Sequence, residues 1–176
     1  MKQNLILCGF MGCGKSTIGR RLAALSGRKL IDMDRFIEEE QGMTIREIFD
    51  RYGEDAFRQM ETEASKALSL QSNLVIASGG GTVLNPQNAD ILRRNGKILL
   101  LGVPLAALQE RLKTDTQRPL LQRPDRREFI AELFEKRIPL YRQAADLIVP
   151  AGAPGNVVAR RILEMLNETE DSKEVN

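Results

Sequence analysis

The chain has no histidine and no tryptophan, and only two tyrosines and two cysteines in 176 residues. The missing histidine has the widest consequences. It excludes Ser-His-Asp and Cys-His nucleophile pairs, histidine-ligated zinc or haem, and an imidazole general base. Chemistry therefore falls to carboxylates, lysine, arginine, hydroxyls and backbone amides, with electrostatic catalysis the leading candidate. Aromatic residues make up only 5% of the chain, too few for the interleaved basic and aromatic surface that single-stranded nucleic acid calls for. With 26 Lys+Arg against 24 Asp+Glu, a net charge of +2 is too mild to imply nucleic acid as an obligate partner. Cys8 and Cys13 lie close together in a glycine-rich stretch and do not suggest a structural staple, which fits a reducing compartment and a cytoplasmic address. No apolar run reaches spanning length, and the N-terminal MKQNLILCGFMGCGKS has neither the form of a signal peptide nor that of a membrane span.

What the chain does have is 42% hydrophobic residues, enough to bury a core in one domain of ordinary size, placed at residues 1–166. The last ten residues, NETEDSKEVN, are almost without apolar side chains, so 167–176 are expected to form a disordered acidic tail. Short apolar runs at Leu5–Cys8, Leu30–Ile31, Leu74–Ala77, Ile98–Leu101 and Leu147–Val149 alternate with longer amphipathic stretches. Five strands separated by helices predict an α/β fold with a parallel sheet and right-handed crossovers. Helix starts are marked by Thr44 with Glu47, by Asp125 with Glu128, by Asn85-Pro86 and by Asn156. One connection stands apart: Arg111–Arg127 carries six basic and two acidic side chains and two prolines, and reads as a mobile cationic flap.

Gly9-Phe10-Met11-Gly12-Cys13-Gly14-Lys15-Ser16 matches the phosphate-loop pattern G-x-x-x-x-G-K-[ST] at every required position, between a buried strand and an amphipathic helix. Successive backbone N–H groups and the helix N-terminus can cradle phosphates there. Lys15 would reach the β- and γ-phosphates, Ser16 Oγ would ligand Mg²⁺, and Gly12 and Gly14 supply the backbone conformations of the wrap.

A second magnesium anchor is sought among acidic residues at strand ends. Asp32-Met33-Asp34 is the only strand end that offers carboxylates. In an extended segment the two would face one side, Asp32 serving the metal through its water shell and Asp34 accepting a proton from, or orienting, an acceptor hydroxyl. An N-cap pair opening the next helix fits the same residues. Gly79-Gly80-Gly81 lets a ligand or another backbone come close, or is a plain connector. Arg58, with Glu54 and Glu61 at helical spacing, is either a surface ion-pair cluster or a site residue, and spacing does not decide. Pro139 is expected to bend or end its helix, and Arg137 is either turned inward by that bend or an exposed surface arginine. Within the flap, Arg118 beside Pro119 is positioned to arrive on closure as an arginine finger, with Leu120 and Leu121 packing behind it.

Together these motifs resemble shikimate kinases from about Asn4 to Leu166. GFMGCGKSTIGR resembles that family's phosphate loop, DMD its Asp-x-Asp, AFRQMETE its substrate-helix arginine, SGGGTV its glycine triplet, RPLL its lid arginine and RIPLYRQAAD its second substrate arginine. The resemblance implies a three-layer, nucleoside monophosphate kinase-like fold with sheet order 2-3-1-4-5. It also implies a substrate-binding region at about 31–61 and a lid at about 112–125. The implied reaction transfers the ATP γ-phosphoryl group to the 3-hydroxyl of shikimate, a step towards chorismate and the aromatic amino acids, with Mg²⁺ as the metal. By the same likeness, Gly12, Cys13, Gly14, Lys15, Ser16 and Thr17 bind the phosphates, with Arg118 joining them. Ser16 and Asp32 serve magnesium, Asp34 meets the shikimate hydroxyls, Arg58 and Arg137 hold its carboxylate, and Gly79–Gly81 present a backbone N–H to a ring hydroxyl. Arg111 and the Pro150–Gly155 loop, with Pro154, flank adenine. Cys13 stands where the family more often has Ala or Ser, and is expected to make the loop sensitive to thiol reagents unless ATP protects it. ATP and shikimate are the expected partners of a monomer. A kinase of gluconate or of a nucleoside monophosphate is the alternative within the class, and an NTP-driven switch ATPase is the alternative outside it.

Overall fold

The computed structural model describes residues 3–116 and 119–174. Its centre is one parallel sheet of five strands, β1 (Asn4–Cys8), β2 (Lys29–Asp32), β3 (Leu74–Ala77), β4 (Gly96–Gly102) and β5 (Leu147–Pro150), in the order β2-β3-β1-β4-β5. Every residue of β1 and β3 is buried, because crossover helices cover both faces of a parallel sheet. That coverage is why these strands read as unbroken apolar runs. The edge strands β2 and β5 are partly exposed. Register is set in part by one buried polar side chain: Asn4 Nδ2 donates to the Gln71 carbonyl at 2.8 Å, and its Oδ1 accepts from Leu74 N at 2.9 Å. This ties the start of β1 to the start of β3.

The helices are α1 (Lys15–Ser26), α2 (Met33–Gln41), α3 (Ile45–Ser69), α4 (Pro86–Arg93), α5 (Leu105–Leu112), α6 (Arg126–Ala144) and α7 (Gly155–Glu174). Two expected caps are present. Thr44 and Glu47 form a reciprocal capping box on α3, and Asn85 accepts from Gln87 N ahead of Pro86. Two others differ. Asp125 makes no side-chain cap and instead accepts from Arg123 at 2.6 and 2.7 Å, a charge-assisted fork that outcompetes a neutral N–H. Asn156 lies inside the first turn of α7 rather than capping it, since the Pro154 carbonyl already accepts from Val157 N and Val158 N. Pro139 does not end α6, which runs on to Ala144. Residues 167–174, expected to be a disordered tail, are helical and extend α7 to Glu174, since adding residues to an existing helix avoids the cost of nucleation.

The expected flap has a defined anchor. Arg126, at the start of α6, donates to the carbonyls of Lys113 at 2.6 Å, Leu121 at 2.7 Å and Leu112 at 3.2 Å, so one guanidinium holds both ends of the connection. Leu121 is already buried while Leu120 is exposed, so only one of the two leucines is left to pack on closure. Among the described residues no helix is long and apolar enough to cross a membrane.

Candidate active site

The carboxyl ends of β1, β2 and β3 open into a cleft of about 420 Å³, where parallel sheets bind ligands. Gly12, Gly14, Lys15, Ser16, Thr17, Asp32, Asp34 and Gly80 all line it, joined by Met11, Ala77 and Ser78, which the sequence did not single out. The loop is shaped by positive φ at Gly12 (78°) and Gly14 (99°), values that side-chain-bearing residues rarely adopt. Lys15 Nζ reaches back across the loop and donates to the Gly9 carbonyl at 2.8 Å, so its charge is held at the mouth of the amide cradle.

Cys13 turns its side chain under the loop, where Lys15 Nζ approaches its Sγ at 3.8 Å. Its thiol is 1% exposed and packs beneath the loop, with Sγ 2.9 Å from where a Cβ on Gly9 would stand. The expected thiol sensitivity is therefore corrected: reagents do not reach Cys13 with or without ATP. Cys8 is buried as well, and burial pushes its thiol up to about 12. A maleimide is expected to label neither cysteine in the folded protein and both after denaturation. Rapid labelling of Cys13 in the folded state would contradict this placement.

Asp32 closes β2 with an extended backbone, but Asp34 does not continue it. Helix α2 begins at Met33, which is fully buried and draws the chain into its first turn immediately after β2. Asp32 is the N-cap: Oδ1 accepts from Arg35 N at 3.3 Å, while Oδ2 accepts from Ser16 Oγ at 3.4 Å. Asp32 thus caps α2 with one oxygen and keeps the other beside the phosphate loop, because a carboxylate has two oxygens. Asp34 enters the cleft from the first helical turn. Burial is the main cause that raises it from 3.8 to about 6, helped by the charges of Asp32 and Glu61 and opposed by Lys15.

Behind Asp34 lies a polar cluster that spacing alone did not reveal. Glu61, 1% exposed, accepts from Arg58 at 2.7 Å and from Thr82 Oγ1 at 2.6 Å. Arg58 also pairs with Glu54 at 2.9 Å, so its guanidinium is oriented by two carboxylates and is not a free surface charge. A Cβ on Gly79 would stand 2.7 Å from Asp34 Oδ1 and 2.9 Å from both Glu61 Oε1 and Thr82 Oγ1, so any larger residue would push these polar side chains aside. A Cβ on Gly81 would meet the Arg58 guanidinium. The triplet is thus the floor on which α2 and α3 converge, not a plain connector. Arg137 is half-buried on α6, one turn before Tyr141, whose hydroxyl feels its charge and donates to the Gly80 carbonyl.

Arg111 donates to the Gly12 carbonyl at 3.1 Å. Pro154 precedes Gly155, whose backbone packs on Thr17 at the start of α1. Both therefore border the phosphate loop, outside the cleft itself. Arg118 lies outside the described residues.

This layout is a phosphate loop facing an acceptor carboxylate and a paired arginine. The shikimate kinase family model matches residues 11–167. The chain belongs to the shikimate kinase family. It is accordingly an ATP-dependent phosphotransferase. A shikimate kinase of Psychrobacter arcticus is 40% identical over 166 residues, 93% of this chain and 89% of that protein. The solved structure of Acinetobacter baumannii shikimate kinase in complex with shikimate superposes with a TM-score of 0.88 at 35% identity, covering 96% of this chain and 95% of that one. A gluconokinase from Sinorhizobium meliloti superposes with a TM-score of 0.63 at 18% identity, over 98% of this chain and 96% of that one, which shows a shared fold alone. Set beside this family assignment, the residues that the sequence did not single out for the site are Glu61, Thr82, Tyr141 and Arg126. Glu61 alone left a trace, since it falls on the buried stripe of α3 formed by Phe57, Ala64, Ser65 and Leu68.

Proposed function

We propose that this chain transfers the γ-phosphoryl group of ATP to the 3-hydroxyl of shikimate, giving ADP and shikimate 3-phosphate, a step towards chorismate and the aromatic amino acids. The observation that carries this reading is the position of Asp34, a partly protonatable carboxylate in the same cleft as Lys15 and backed by the Arg58–Glu61 pair. Shikimate offers one carboxylate and three hydroxyls, and guanidinium forks with an acceptor carboxylate form the complementary set. Residues 31–61 would form the substrate-binding region and 112–125 the lid, in a single domain spanning 1–166. Two buried free cysteines are compatible with a cytoplasmic address.

In this mechanism, the amides of Gly12 to Thr17 and the Lys15 ammonium hold the phosphates and neutralise charge on the moving group. Arg111 and Pro154 would flank adenine. Arg58 and Arg137 grip the carboxylate and so aim the ring. Asp34 accepts the hydrogen bond of the 3-hydroxyl and orients it in line. Because a loose transition state gives a base little to do early, Asp34 takes the proton late. Arg118 would enter on closure of the lid. Ser16 Oγ and Asp32 Oδ2 are two hard oxygen donors 3.4 Å apart at the mouth of the loop, and they fit a Mg²⁺ ion that keeps most of its waters. When bound, that ion supplies charge neutralisation on the phosphates. Phosphorus NMR of the product checks the reading. Phosphate on the 3-oxygen of shikimate is expected, and phosphate elsewhere, or none, overturns it.

A further inference from the structure

Tyr141 has no role of its own in the RIPLYRQAAD motif above, yet it is among the largest fully buried side chains of the described residues. It sits one helical turn after Arg137 on α6, so both project from one face of that helix. Its hydroxyl donates to the Gly80 carbonyl, and the Arg137 guanidinium stands near enough to favour its charged form. A phenol has one proton to give and lone pairs to turn towards a cation, so it serves both partners at once. A planar trans peptide then transmits the first bond: with the Gly80 carbonyl held by Tyr141, the Gly81 N–H points the opposite way. Gly80 has open space where a Cβ would stand, so side-chain packing does not hold this peptide in place. Burial, chiefly, raises the Tyr141 hydroxyl to about 12, so it stays protonated and keeps donating at any physiological pH.

We propose that Tyr141 is a positioning residue for the acceptor's carboxylate, tying the Arg137 guanidinium and the Gly80–Gly81 peptide into one preset unit. This rests on the proposed shikimate reading, in which those two elements meet the acceptor. They come from α6 and from the loop after β3, which share no sequence neighbourhood. Tyr141 is the link between them, hydrogen-bonded to the Gly80 carbonyl and set beside Arg137 on α6. The carboxylate is remote from the reacting hydroxyl, so its grip acts equally on ground and transition states, and loss of the link falls on KM.

The test is Tyr141→Phe, which keeps the ring that fills the core. A roughly tenfold rise in the shikimate KM is expected, the loss typical of one hydrogen bond, with kcat within about twofold and the ATP KM unchanged. In an Arg137→Ala background the same substitution should add little further, because both changes break one unit. Equal loss in kcat and in both KM values, or full additivity with Arg137→Ala, would reduce Tyr141 to a packing residue and overturn the inference. Wild-type turnover of shikimate in the same assay separates this failure from failure of the functional reading. If Tyr141→Phe does not fold, the wild-type chain grown with 3-fluorotyrosine gives only two fluorine signals, from Tyr52 and Tyr141. Arg137→Ala must then move the Tyr141 signal, and an unmoved signal overturns the proposal.

Discussion

Lys15→Ala lowers kcat by about 10³-fold or more while leaving the fold intact. The magnitude follows from what the side chain does before any ligand arrives. Its ammonium is already held across the loop by the Gly9 carbonyl at 2.8 Å, so no reorganisation is required as charge shifts between phosphates. Its removal takes away both the charge and the tie that shapes the loop. With no histidine in the chain, no imidazolium can stand in for the lost cation. Lys15→Arg should rescue poorly, because a planar fork does not reproduce a compact ammonium at that carbonyl. Steady-state kinetics with a parallel thermal melt provide the check, and a kcat within tenfold of wild type would contradict the role.

Asp34→Asn is expected to act in opposite directions on turnover and stability. Turnover should fall by about 10² to 10³-fold, since an amide cannot accept the proton and presents its hydroxyl partner with mixed donor and acceptor character. Stability of the metal-free, nucleotide-free protein should rise at neutral pH. The native carboxyl sits at about 6 against 3.8 when unfolded, so the folded state binds this proton more tightly. Its contribution to stability is complete below pH 3.8, is lost as pH rises towards about 6, and stays lost above that. Because Asp34 keeps an exposed edge that water screens, the full difference is reduced to on the order of 1 kcal/mol. The stabilisation by Asn should therefore be near zero at pH 4 and level off above pH 7. Denaturant melts at both ends of that range decide the matter, and a variant less stable than wild type at pH 8 would contradict the burial of this charge.

What was legible in the sequence was whatever is local or covered on both sides. The strands stood out because parallel strands buried on both faces are apolar runs, and the phosphate loop because all its working atoms lie within eight consecutive residues. Asp32-Met33-Asp34 was legible as carboxylates at a strand end, but Asp34 was given the wrong backbone, since three residues do not show whether a buried Met33 ends a strand or opens a helix. Arg58 was ambiguous for a different reason. Its partners Glu54 and Glu61 sit at ordinary surface spacing, and only burial separates a site pair from a solvated one. A charged residue on the apolar stripe of α3 was the available signal for Glu61. Arg126 and Tyr141 left no local trace, because their partners, the Leu112, Lys113 and Leu121 carbonyls and that of Gly80, are backbone groups brought near by the fold.

The central claim is that one cleft matches a phosphate loop to a carboxylate-bearing polyol. A coupled assay of ADP release with shikimate, gluconate and nucleoside monophosphates side by side tests it most directly. Shikimate should stimulate release with a kcat/KM at least about 10³-fold above any other acceptor, as expected of a site whose buried polar groups go unpaired with the wrong ligand. Release without acceptor, or equal stimulation by gluconate or a nucleoside monophosphate, would contradict it.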